Sequence, residues 1–455
     1  MVFHIPADTE ISLDLISDYI ARHKKALEFN KRMHDAYEND FEIYHADKKD
    51  DGKPDNRVSV NYIKYIIDTF GGFFCGIPIK VSAEEEAVAN YIEFLDAYND
   101  QDDNNAELAK QMDIDGDAFE MYYADENGEI CITYLSSVEA FMLCDESILE
   151  RPKFFIRWYK SDVVGDETII HGSWSDENVV QHFSNRGGIW RWEDEPTPHG
   201  FAYLPAVRFK ENGEGMGLCH SILPINDAYN KALSEKANDV DYFADAYLKI
   251  LGAVVQNNDV SQIKRNRIIN FDSEGETLPV VDFLEKPQAD ETQENLLDRL
   301  ETAMFVTSMV ANISDENFGN ASGVSLKYKL QAMSNLAKTK ERKFTSGMNQ
   351  RYKIIFSHPL AQIHGIKADD WIGLKYQFTQ NYPANVTDEI ENARNAEGIL
   401  SHRTQLEMIS VVESVDEELE RIDEETEEAM MKAKAISTPA IDKAFNEEEE
   451  EGGNE

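Results

Sequence analysis

The 455-residue sequence predicts an α+β chain, and three features carry that expectation. Several stretches place apolar residues at helical spacing. A block from about 118 to 210 instead shows short alternating runs broken by turn residues. Beyond it, two long helical patterns flank a short β-type insertion. With 42% hydrophobic and 10% aromatic residues the chain holds enough apolar material for real cores, which excludes wholesale disorder. At roughly 150 residues per domain, the length allows about three domains.

Residues 11–40 read as a polar amphipathic helical region carrying Leu15, Tyr19, Leu27 and Tyr37 among charges. Residues 58–70 follow with helical periodicity, and Gly71-Gly72 is expected to end that helix. Residues 77–81 form a short strand in which Pro78 suits an edge. Residues 84–112 are helical, with a break near 99–105. A hairpin spans 118–123 and 129–135 around Asp125-Glu126-Asn127-Gly128, because Asn-Gly supplies the positive φ angles of a tight turn. Strands are expected at 140–143, 153–159, 168–171, 179–183 and 189–192.

A long helix is predicted from Ser221, a plausible N-cap, to Leu251, with Ile225, Tyr229, Leu233 and Val240 on its apolar face and Gly252 closing it. Strand-like runs at 253–256, 267–271 and 278–284 follow. A second helix, 289–312, carries Leu296, Leu297, Leu300, Met304 and Val310. A polar, glycine-containing gap at 313–323 leads into a third long helix, 324–356. One strand, 372–378, and three short helices at 386–397, 402–411 and 416–434 complete the pattern. The acidic run 447–451 belongs to a tail expected to be disordered.

The 44 Lys and Arg face 87 Asp and Glu, a formal net charge of −43. That excess argues against a broad surface gripping nucleic acid, since phosphate binding needs cations that release counterions. It leaves room for a protein that stays near DNA without holding it. No run approaches the roughly 20 apolar residues that cross a bilayer, and no basic-then-apolar leader is present, so a soluble, non-secreted protein is expected. The four cysteines, Cys75, Cys131, Cys144 and Cys219, are dispersed and read as reduced thiols.

Motifs for catalysis fail on inspection. Gly213-Glu214-Gly215-Met216-Gly217 lacks both the dinucleotide spacing and the Lys of an NTPase loop, and reads as a connector. Asp113, Asp115 and Asp117 resemble the start of a calcium loop, but Gly116 comes too early and Ala124 stands where the closing Glu belongs. The eleven histidines show no paired metal spacing, and no G-x-S-x-G elbow is present. No catalytic residue, metal or cofactor is expected. The helix 324–356 reverses the charge balance, with Lys327, Lys329, Lys338, Lys340, Arg342, Lys343, Arg351 and Lys353 against Glu341 alone. Its cations either pair with acidic neighbours or, for Lys327, Lys329, Lys338, Lys340 and Lys343, face nucleic acid.

At this point the residues carry a resemblance. Ile67-Asp68-Thr69-Phe70-Gly71-Gly72 leading to Gly76-Ile77-Pro78, and then the stretch 115–123 with its 125–128 turn, resemble the wing of tailed-bacteriophage portal proteins, those of siphophages in particular. The stretches 225–231 running to 243–246, and 317–330, resemble the same family more closely. The resemblance spans about 15–435 and rests on the order of these stretches.

The resemblance implies a portal-type subunit assembled as a ring, a dodecamer in most relatives, around a channel for double-stranded DNA. It implies a wing at 1–221, stem helices at 222–251 and 289–312, and a small β-containing clip at 252–288. A channel loop at 313–323 would include Asp315, Glu316, Asn317, Phe318, Gly319 and Asn320. The segment 324–383 would return to the wing, a helical crown would occupy 384–436, and the acidic tail 437–455 would end the chain. Terminase and head-tail adaptor proteins would dock on the clip, where Lys264, Arg265 and Arg267 form a basic cluster and Asp272, Glu274 and Glu276 an acidic one. Major capsid and scaffolding proteins would be further partners. The implied location is the virion, after assembly in the host bacterial cytoplasm, with no membrane contact. Competing classes are a metal-dependent soluble hydrolase or nuclease, and an acidic structural virion protein without a channel.

Overall fold

In the computed structural model, the described residues are 1–49, 53–162, 168–244, 248–251, 280–283, 290–314, 328–381, 386–409, 411–412, 415 and 418–432. The chain is α+β. It divides into two compact units, one of residues 1–318 with 329–381, the other of 319–328 with 382–455.

The first unit opens with β1 (Val2–Ile5), α1 (Leu13–Ala26), α2 (Glu28–Tyr37) and the single turn α3 (Glu42–His45). Ser12 caps α1 by accepting from the Leu15 amide at 3.2 Å. Next come α4 (Tyr62–Cys75), β2 (Lys80–Ser82), α5 (Glu86–Asn99) and α6 (Gln101–Asp115). The expected break between the last two falls at Asp100, which adopts a left-handed conformation with φ 48°.

Helix α4 does not stop at Gly71-Gly72 but runs through them to Cys75. The flanking Phe70, Phe73 and Phe74 are buried, and burying each is worth about 1.5–3 kcal/mol against about 1 kcal/mol per helical glycine. Burial outweighs propensity here.

The expected hairpin is β3 (Asp117–Ala124) with β4 (Ile130–Ser136), turning at Gly128 with φ 80°. Then follow β5 (Ala140–Asp145), β6 (Pro152–Asp162), β7 (Thr168–Ser175), β8 (Val179–Arg186), β9 (Ile189–Trp192), β10 (Thr197–Pro198) and β11 (Ala206–Lys210). A seven-stranded sheet runs β1-β5-β6-β7-β8-β10, with β9 also on β8. The pairing of β1 with β5 is parallel, a long-range strand that residue periodicity did not reveal. The order β11-β3-β4 makes a three-stranded sheet.

One face of the large sheet packs Phe141, Leu143, Phe154, Ile156, Trp158 and Phe183 against Ile16 and Ile20 of α1. The other face packs Met142, Cys144 and Phe155 against Phe119 and Ala206 of the small sheet. The alternation of β6, with Phe154 and Ile156 on one side and Phe155 on the other, follows from the strand period of two.

The next helix, α7 (Leu223–Ala244), ends earlier than expected, because Leu248–Leu251 is a strand, β12. Its partner β13 (Val280–Phe283) supplies the ladder, and a partner some thirty residues away is invisible to helical periodicity. Helix α8 (Asp290–Ser308) runs beside α7, tied to it by a Lys236–Glu294 ion pair and by Gln293 Nε2 donating to Asp239 at 3.0 Å. Helix α9 (Gln331–Phe356) precedes the short α10 (Pro359–Ile363). The strand expected at 372–378 is a 3₁₀ turn at 370–373 followed by β14 (Lys375–Gln377), which pairs with β2.

The second unit contains α11 (Val386–Asn395), α12 (His402–Glu407) and a helical stretch at 418–432. Among the described residues, no helix is long and apolar enough to cross a membrane.

Candidate channel elements and the buried charges behind them

The cations of α9, and Lys329 just before it, separate by depth. Lys329 and Lys338 are exposed and Lys343 is half-buried, whereas Lys340 is fully buried. Its ammonium lies 2.7 Å from Asp113 and 3.0 Å from Glu211, and donates to the Ala109 carbonyl at 2.9 Å. The rings of Phe70 and Phe74 lie 5.3 and 5.1 Å away. Lys340 therefore does not face nucleic acid, a correction that its spacing could have signalled: it falls on one stripe with the buried Met333, Ala337, Phe344 and Gly347. Burial pushes both Asp113 and Glu211 upward, against the pull of Lys340, so two buried carboxyls share one cation.

Further along the same stripe, Arg351 is fully buried and grips Glu120 through two bonds, Nε to Oε2 at 2.9 Å and Nη2 to Oε1 at 2.5 Å. Nη2 also donates to Asn105 at 2.7 Å, and Tyr122 donates to Glu120 at 2.9 Å. Gly347 lets α9 approach this close: a Cβ there would lie 2.3 Å from the Phe209 ring. The helix is thus a strut through the core of the first unit, with two of its six cations, Lys340 and Arg351, turned inward.

The aspartates around Gly116 are each taken by protein partners. Asp113 holds Lys340, Asp115 accepts from His34 and Ser136, and Asp117 pairs with Arg208 at 2.5 Å. Gly116 sits at φ +89°, and a Cβ on it would meet the Gly215 carbonyl at 2.2 Å. Gly217 serves the same close backbone approach, since a Cβ on it would lie 2.4 Å from the Ile114 carbonyl oxygen.

Helix α7 holds residues that the periodicity reading passed over. Its buried stripe is polar: Asn226, Asn230, Ser234 and Asn238, each four residues apart. They accept from the amides of Tyr62 (3.1 Å), Val60 (2.8 Å), Val58 (2.9 Å) and Asn56 (2.6 Å). Asn226 and Ser234 also donate to the carbonyls of Val60 and Val58. A helix advances about 6 Å in four residues and a strand about 6.6 Å in two, so the rungs stay matched over four repeats. Among the expected apolar residues, Val240 is exposed. The Asn-x-x-x-Asn-x-x-x-Ser-x-x-x-Asn spacing is the signal that could have found the ladder. Asn226→Ala should cost about 1–3 kcal/mol in urea denaturation, because Tyr62 N–H loses its acceptor in a dry site. A loss no larger than that of the exposed Lys231→Ala would remove the ladder from the stabilising contacts.

Comparison with known proteins adds the decisive observation. The sequence profile of the family described as phage portal protein, SPP1 Gp6-like, matches residues 16–432. The chain belongs to this phage portal protein family. It is 22% identical over 429 residues to the portal protein of Bacillus phage SPP1, covering 89% of this chain and 83% of the relative. It is likewise 22% identical over 417 residues to the portal protein of Clostridium phage phiCD119, covering 86% and 88%.

For a portal protein the remaining candidate residues fall as follows. Asp315, Glu316, Asn317, Phe318, Gly319 and Asn320 of the loop, and Lys327, lie outside the described residues. So do Lys264, Arg265, Arg267, Asp272 and Glu274. What the structure does place is the frame on either side: the paired α7 and α8 with the β12–β13 ladder, and the start of the gap at Ile313 and Ser314. On α8, Leu297 and Met304 are buried while Leu296 and Val306 are exposed.

Proposed function

We propose that copies of this chain close into a ring, a dodecamer by the resemblance, whose central channel conducts double-stranded DNA during packaging and ejection at one capsid vertex. The observation that carries this reading is the portal-family match over 16–432, to which the α7–β12–β13–α8 projection gives a structural counterpart. In this reading residues 1–221 form the wing, α7 and α8 lie in the stem, 252–288 form the clip and 313–323 the channel loop. Residues 384–436 form the crown. The protein is a non-enzymatic component of the virion, assembled in the host cytoplasm with scaffolding and major capsid proteins.

The buried charges support a conduit that holds DNA weakly. Lys340 and Arg351 are consumed inside the subunit, which leaves Lys338 and Arg342 exposed and Lys343 and Lys353 half-buried on α9. Duplex DNA carries a charge about every 1.7 Å of axis, and a sparse set of cations lets it slide where a dense one would trap it.

Light scattering with electron microscopy of the purified protein tests the reading. A ring with an open hole of duplex width is expected, and a monomer or a solid particle would refute it. The clip residues Lys264, Arg265 and Arg267, with Asp272 and Glu274, are the proposed terminase and adaptor contacts. Reversing Lys264 and Arg265 to Glu should abolish terminase capture while rings persist. Rings that fail to assemble would instead assign these charges to contacts between subunits.

A further inference from the structure

Between the seven-stranded and three-stranded sheets of the first unit lies a cavity of about 400 Å³. On the large sheet, the face that buries Phe155 and Met142 against the small sheet turns polar at β6, β7 and β8. Arg157, Ser173 and His182 are direct cross-strand neighbours there, and Ser175 follows opposite Phe155. Thr133 and Tyr123 line the cavity from the small sheet.

The charge of the lining stands apart from the rest of the chain. Acids outnumber bases about two to one overall, and clefts elsewhere, such as that lined by Asp96, Asp100, Asp102 and Asp103, carry carboxylates. None of the residues lining this cavity is Asp or Glu. Arg157 is half-buried and its Nε donates to Ser173 Oγ at 3.0 Å, which orients the guanidinium. Among the described residues no hydrogen bond or ion pair uses its two terminal nitrogens. His182 donates through Nδ1 to Asp194, which does not line the cavity, at 2.6 Å, so its one N–H is committed there. Ser175 is only 3% exposed, and no described hydrogen bond uses its hydroxyl. An oriented guanidinium fork and a buried hydroxyl on a cavity whose lining holds no carboxylate are what a planar or tetrahedral oxyanion requires.

We propose that this inter-sheet cavity binds a small molecule through an oxyanion, phosphate or carboxylate, held by Arg157 with Ser175. Titration calorimetry on the assembled full-length protein, with inorganic phosphate and with glutarate against chloride of matched ionic strength, tests it. Saturable binding of at least one is expected. Phosphate alone identifies a phosphoryl ligand, glutarate alone a carboxylate, and both a site selective for charge over shape. Arg157→Met should weaken binding by about tenfold or more, as loss of a charge-assisted fork implies. Arg157→Lys keeps the charge without the fork, and Ser175→Ala removes one hydroxyl; both should weaken it several-fold if the Met variant fails to fold. Asp96→Asn should leave it unchanged. No saturable binding of either anion up to tens of millimolar, or binding insensitive to both Arg157→Lys and Ser175→Ala, would overturn the proposal.

Discussion

Replacing Arg351 with Met should destabilise the chain by about 3–5 kcal/mol, the cost of leaving one partner of a buried ion pair uncompensated. Glu120, itself fully buried, loses both guanidinium bonds and keeps only the Tyr122 hydroxyl at 2.9 Å. Asn105 loses one of its two donors and keeps Gln101 Nε2 at 3.1 Å. A shift of the denaturant midpoint at unchanged slope measures the effect. The double variant Arg351→Met with Glu120→Gln should recover part of the loss, since the stranded charge is then gone. If Arg351→Met alone moved stability by less than about 1 kcal/mol, the strut role of α9 would be wrong.

Lys340→Met should produce a loss of similar size, and one that depends on pH. In the native chain Lys340 stays charged, because Asp113 and Glu211 raise it against burial. The two carboxyls are both raised, since burial outweighs their one shared cation. A carboxyl whose folded value lies above its unfolded one contributes stability at low pH and loses it as pH rises through the folded value. The wild type should therefore weaken gently from mildly acidic pH upward. Removing Lys340 raises both carboxyls further, so the variant's stability should fall more steeply than wild type's as pH rises. Adding Asp113→Asn to Lys340→Met should flatten that slope. Urea midpoints across the range check this, and a Lys340→Met variant with a pH profile parallel to wild type would contradict the shared-cation arrangement.

Much of the architecture was legible from residue pattern. The 125–128 turn, the break at Asp100, the succession of short strands and the helix–β–helix plan all follow from local rules of period and turn chemistry. The misreadings share a cause. Gly71-Gly72 end a helix only if nothing across from them rewards continuing it, and the buried phenylalanines on either side do. Likewise Leu248–Leu251 is a strand because Val280–Phe283 pairs with it, a contact that adds nothing to the local pattern.

The candidate residues divide along the same line. Counting charge on helix 324–356 grouped Lys338, Lys340 and Lys343 together, while depth separates them. The acidic excess by itself argued against a broad nucleic-acid grip, and the order of its stretches pointed to the family that the profile match over 16–432 shows. Only the tertiary structure decided which cations are left to face outward. A charge is an attribute of one residue, but burial and pairing belong to several distant ones at once. Lys340 becomes a structural residue only where Asp113 and Glu211 close on it from other elements, and the polar stripe of α7 becomes a ladder only where residues 56–62 lie against it.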